Sequence, residues 1–159
     1  EQKTTKKLES IKDYGNVSVE IGFLVNQRNF SKAARQSKLL VAKSSGNDRA
    51  FIESGKVKII YRFEEFHKKD HLHQRASGLN HIICELAKKN NVAVGFSYSS
   101  LFGKKTQAMG RMMQNIRLCR KYGVETITGA FSEKPYGLRA QHDMQSMFKV
   151  LGMSKAKGL

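Results

Sequence analysis

The chain has 159 residues, 40% of them hydrophobic, which is enough to bury a core and too apolar for a disordered polyelectrolyte. Lys and Arg number 29 against 13 Asp and Glu, a net charge of +16 that repels itself unless a polyanion screens it. Nucleic acid, an acidic membrane surface and an acidic protein are the possible partners. No apolar run approaches the roughly 20 residues of a membrane span and no signal peptide opens the chain, so nucleic acid is the first expectation.

The predicted elements alternate. A short helix over 4–14, with Leu8 and Ile11 on one face, stops at Gly15. The run 17–25 reads as a strand, and a helix with Phe30, Ala33 and Ala34 follows Asn29. A second strand spans 38–43, a short helix 48–54 stops at Gly55, and a third strand spans 57–62. A polar segment over 63–77 precedes a helix over 80–90, with Ile82, Ile83, Leu86 and Ala87 as its apolar positions. A fourth strand covers 92–96, the longest helix 106–122 and a fifth strand 124–128. A loop over 129–139 leads to a last helix over 140–151, stopped by Gly152.

Strands alternating with helices indicate βαβ units, a parallel sheet and right-handed crossovers, here in one domain over 1–159. An open doubly wound sheet and a (β/α) barrel both fit, although a closed barrel has eight strands and five are predicted. The chain begins on a helix with no strand before it, so strands preceding Glu1 are expected to be missing. In either architecture, binding residues gather in loops after strand C-terminal ends. Those loops carry Arg28, Lys68, Lys69, Arg75, Lys104, Lys105, Lys134 and Arg139, a candidate basic rim.

On the long helix, Ala108, Met109, Met112, Met113, Ile116 and Cys119 form an apolar stripe expected in the core. Arg111, Gln114, Arg117 and Lys121 fall on the opposite side, next to Lys104 and Lys105, and Leu118 sits among them as a candidate anchor for a protein partner. Cys84 and Cys119 read as reduced core thiols, consistent with a cytosolic or nuclear compartment. His67, Asp70, His71 and His73 invite a metal reading, but they lie in a polar loop with no regular element to fix a coordination geometry; phosphate contact is expected there instead. There is no Gly-rich phosphate loop, nucleophile triad or carboxylate cluster for two-metal chemistry, and no RNA-recognition-motif signature, so no catalytic residue is expected. The pattern suits a reader of phosphate and shape.

Several stretches in order carry a resemblance: 77–83 (SGLNHII), 86–97 (LAKKNNVAVGFS), 111–123 (RMMQNIRLCRKYG), 128–130 (TGA), 138–143 (LRAQHD) and 151–153 (LGM). Together they resemble the archaeal and eukaryotic ribonuclease P protein component 3 family. The resemblance implies a TIM-like (β/α) barrel, incomplete at its N-terminus, related to a metal-dependent phosphoesterase superfamily. It implies a subunit of ribonuclease P, the ribonucleoprotein that removes the 5′ leader of precursor tRNA. The RNA subunit would carry the chemistry with magnesium, no cofactor being bound by the protein. The protein partner would be component 2, and precursor tRNA would be met indirectly. The location would be the cytoplasm of an archaeon, or the nucleolus of a eukaryote. Carried over by motif, His81, Lys88, Lys89, Arg111, Arg117, Arg120, Lys121, Arg139 and His142 become RNA-facing candidates, joined by Lys104, Lys105 and Lys134 of the rim. Asp143 is expected to orient Arg139 or cap the last helix. The chain departs from the family pattern at Ser77, Tyr136, Gly137 and Gln141, where Pro, Trp, an acidic residue and Pro are usual. A metal-dependent phosphoesterase is the competing enzymatic reading, and a basic ribosomal-type protein shares the charge without the ordered motifs.

Overall fold

The computed structural model describes residues 21–102, 106–154 and 157–158. The predicted helix over 4–14 and the start of the first predicted strand lie outside them. The elements are β1 (Phe23–Val25), α1 (Phe30–Gln36), β2 (Leu40–Lys43), α2 (Asp48–Glu53), β3 (Val57–Tyr61), α3 (His81–Lys89), β4 (Ala93–Ser97), α4 (Thr106–Tyr122), β5 (Thr126–Gly129), α5 (Gln141–Val150) and β6 (Lys157–Gly158). Short 3₁₀ turns occupy Phe63–Glu65, Tyr98–Leu101 and Pro135–Gly137.

The strands form a single six-stranded sheet in the order β1-β2-β3-β4-β5-β6, with every pairing parallel. A doubly wound sheet reverses its strand order at a switch point. Here each strand pairs only with its neighbours in the chain, so right-handed crossovers place the connecting helices on one side, the winding of a TIM-like barrel. The sixth strand is a correction to the five expected. Its two residues are too few for a periodic signal, yet Thr128 Oγ1 donates to the Lys157 carbonyl at 2.9 Å, and Lys157 Nζ reaches Glu125 Oε1 at 2.8 Å.

Strand β4 is buried at all five positions, as a parallel strand covered on both faces must be. Leu40, Ala42, Ile60, Val94 and Phe96 of the strands join Phe51, Ile52, Met112, Ile116 and Phe148 of the helices in one apolar core. The ends of α3 follow local rules. The Asn80 side chain accepts from the Ile83 N–H at 2.9 Å, which caps the helix, and Lys88 and Lys89 occupy the last turn, where the helix dipole favours cations. Cys84 and Cys119 are buried free thiols. The hydrogen bond that the Cys119 thiol donates to Cys84, together with burial, raises the pKa of Cys119, so this thiol packs in its protonated form.

The phase of α4 differs from the apolar reading. Ala108, Met112, Ile116 and Cys119 are buried as expected, but Met109 is 42% exposed while Arg111 and Asn115 are buried at 3% and 0%. Ile82 of α3 is likewise exposed rather than inward. Met112→Ala is therefore expected to cost about 2–5 kcal/mol, whereas Met109→Ala should stay within about 0.5 kcal/mol. Urea unfolding of the two variants checks the phase, and equal losses would show it to be wrong.

Candidate nucleic-acid interface

Long segment 62–80, between β3 and α3, meets α4 through polar side chains. Arg111 donates from Nε to Asp70 Oδ1 at 2.7 Å and from Nη1 to the carbonyls of Glu64 at 3.0 Å and His67 at 2.6 Å. Arg75 lies across the helix at Gly110, where its Nη1 donates to the Gly110 carbonyl at 2.9 Å; a Cβ at that glycine would meet the guanidinium at 2.7 Å. Ser77 Oγ donates to Asn115 Oδ1 at 2.7 Å, and the Ala76 N–H to Asp70 Oδ1 at 2.8 Å. The hydrogen bond from Ala76 and the Arg111 contact hold the Asp70 carboxyl below its ordinary range.

This network corrects the expectation for Arg111. Its guanidinium is spent inside the protein, so it is not an RNA-facing group. The histidine segment follows the same logic. Arg111 and the Ala76 N–H occupy Asp70, and the His67 and His71 rings stand 6.2 Å apart, centroid to centroid. Among the described residues no three His, Cys, Asp or Glu side chains come together as a metal-holding group.

The remaining expected contacts form two groups. A parallel βα unit runs its helices antiparallel to its strands, so helix C-termini lie at the opposite end from the strand-exit loops. Lys88 and Lys89 end α3, Arg120 and Lys121 end α4, and all four are exposed, as is Arg117 one turn earlier. The Lys88 ammonium lies against Gly123, the residue that stops α4, so the two helix ends share one cationic area. No carboxylate within salt-bridge distance meets these five cations among the described residues. Lys134, Arg139 and His142 are exposed at the strand-exit end, and His81 is exposed at the start of α3. Lys104 and Lys105 lie outside the described residues. Lys134 and Arg139 belong to the expected strand-exit rim, whereas Lys88, Lys89, Arg117, Arg120 and Lys121 form a separate basic area at the helix C-termini.

Two further corrections concern side-chain roles. Leu118 is half-buried and packs against the core, so it is no isolated anchor on a polar face. Asp143 neither orients Arg139 nor caps α5. It lies 3.7 Å from His142 Nδ1, while Arg139 Nη1 donates to the carbonyls of Tyr136 at 2.9 Å and Leu138 at 2.7 Å. The N-cap of α5 is Ala140, with no side-chain cap bond.

A chain-ordered parallel sheet carrying a cationic helix surface defines a TIM-like α/β protein with two exposed basic areas. A model of the RNase P subunit p30 family matches residues 3–158, and the chain belongs to that family. Among similar proteins are the ribonuclease P protein component 3 of Methanococcoides burtonii, 29% identical over 118 residues (72% of this chain and 46% of the relative), and that of Methanococcus vannielii, 26% identical over 110 residues (64% and 48%). The chain spans about half the length of these relatives. A chain in a cryo-EM structure of archaeal ribonuclease P with mature tRNA has the same fold, with a TM-score of 0.79 and 17% identity, over 96% of this chain and 69% of that one.

Glu64, buried at the start of the same segment, supplies a pH test. Desolvation pushes its carboxyl up to about 7 from 4.5. Between those values the folded state holds a proton that the unfolded chain has released, so stability falls as pH rises through this interval. Glu64→Gln is expected to make that fall shallower, as read from urea midpoints at acid and neutral pH. A parent-like decline in the variant would show that another group is responsible.

Proposed function

We propose that this chain is the RNA-binding protein subunit of ribonuclease P that stabilises the catalytic RNA for 5′ leader removal from precursor tRNA. The observation that carries the reading is the unpaired cationic area at the ends of α3 and α4, in a chain of this family with net charge +16. Lys88, Lys89, Arg117, Arg120 and Lys121 would neutralise phosphates where RNA helices pack closely, releasing counterions as they do so. The RNA would carry the chemistry with magnesium, and the protein partner would be component 2. Cytoplasm is the compartment that fits the archaeal organisms of the relatives. No helix among the described residues is long and apolar enough to cross a membrane.

Phosphate-dominated binding predicts that log affinity falls linearly with log salt, by about 0.9 per neutralised phosphate on duplex RNA-like sites. The triple variant Lys88→Ala, Arg120→Ala, Lys121→Ala should weaken RNA binding and flatten that slope by about two to three of these steps. An unchanged slope would remove this face from the interface.

Reconstitution tests the division of labour. The protein with magnesium alone should not cleave precursor tRNA. Added with component 2 to the cognate RNA, it should raise cleavage at low magnesium and matter less at high magnesium, because both cations screen the same phosphates. His71→Ala should leave that cleavage intact. Magnesium-dependent cleavage by RNA-free protein, abolished by His71→Ala, would instead establish the phosphoesterase.

A further inference from the structure

The strand-exit end carries exposed aromatic rings that phosphate binding does not use. Tyr136 is 73% exposed and Phe102 57%. Exposed rings on a loop are unremarkable when the loop is slack, but this loop is built. Ser132 Oγ donates to the Lys134 carbonyl at 2.9 Å and accepts from the Lys134 N–H at 3.2 Å. The 3₁₀ turn Pro135–Gly137 starts on proline, and the N–H groups of Gly137 and Leu138 close it onto the carbonyls of Lys134 and Pro135 at 3.0 and 3.1 Å. At Gly137 any side chain would run into the Ser132 hydroxyl, so the turn is close-packed from beneath. Behind it, Phe131 stacks on Tyr61 at 4.4 Å with the rings 15° from parallel.

Each exposed ring also carries a cation. Lys134 Nζ lies 5.6 Å from the Tyr136 ring centroid, and the Arg139 guanidinium lies 5.6 Å from that of Phe102. The same guanidinium donates to the Tyr136 carbonyl, which ties the two rings into one cluster. Phe102 is backed edge-on by Tyr98 at 4.9 Å, and Tyr98 in turn meets the core residue Phe148. The carboxylate of this loop, Glu133, faces Arg62 at 3.9 Å.

We propose that Phe102, Lys134, Tyr136 and Arg139 form a stacking platform for unpaired RNA bases. The proposal rests on the RNA-binding reading above and adds a second mode at the other end of the molecule. Base stacking on exposed aromatics with adjacent cations is how proteins hold single-stranded RNA without reading its sequence. A ring held rigidly before binding loses little entropy when a base lands on it. A protein partner would also bury these rings, but the cation on each ring and the +16 charge of the chain favour a polyanion whose bases are free.

The chain contains no tryptophan, so Tyr136→Trp introduces a single fluorescent reporter at the platform. Its emission should be quenched by single-stranded oligouridylate, and not by an abasic ribose-phosphate oligomer of equal length. Tyr136→Ala should lose about ten-fold in affinity for oligouridylate while keeping parent affinity for a fully paired RNA hairpin. Absence of quenching, or equal losses on oligouridylate and hairpin, would overturn the platform. So would parent-like RNA affinities in Tyr136→Ala with pairing to component 2 lost, because the rings would then be a protein contact. Failure of the parent to bind the hairpin is a separate result that strikes the broader RNA-binding reading. Should Tyr136→Ala fail to fold, the tryptophan variant alone decides the matter.

Discussion

Arg111 sits where water cannot reach it, and the protein meets its Nε and Nη1 donors while Nη2 is left without a partner among the described residues. An isolated buried guanidinium is costly to hold, and a partnered one becomes a constraint on everything it touches. Its partners come from one stretch of chain, the backbone at Glu64 and His67 and the carboxylate of Asp70. That contact fixes segment 62–80 onto α4 and so sets the entry to α3. The turn of the helix that points Arg111 inward is also the turn that points Arg117 and Lys121 out. The cationic face depends on a cation that does not belong to it.

The direction of the chain explains why the basic residues divide. Cations at a helix C-terminus are favoured by the helix dipole before any ligand arrives. In a sheet of uniformly parallel strands, consecutive helices end on the same side, so residues favoured for local reasons accumulate as one patch. The residues at the opposite end have a different origin. They stand in a loop whose shape comes from Ser132, Pro135 and Gly137, and there the charges accompany aromatic rings. The two ends therefore present their cations in different settings.

Much of the architecture was legible because parallel strands and their helices differ in period and length. The helix over 106–122 and the strands around 40, 60, 94 and 127 lie where apolar spacing puts them. Apolar spacing failed where burial was polar. Arg111 and Asn115 look like solvent positions until Asp70 and Ser77 are known to lie against them, and those contacts span 41 and 38 positions of chain. The burial of Arg111 left Met109 outside, though a methionine stripe gives no sign of it. Tyr136 was visible as a departure from a pattern. That it stands out on a closed turn depended on a clash at Gly137, which only three-dimensional placement reveals.

The chain-ordered sheet has a consequence for how the protein assembles. Pairing Leu40 with Val57 closes a loop about half as long as pairing Ile59 with Ala93 or Val94 with Thr126. Doubling a flexible loop adds about 0.6 kcal/mol of closure entropy. The β1–β2 and β2–β3 contacts are thus the cheaper ones to close, while β4 and β5 must each bring in a longer stretch of chain. For β4 that stretch includes the segment 62–80 that Arg111 holds onto α4, so the β3–β4 pairing and the α4 contact constrain the same loop.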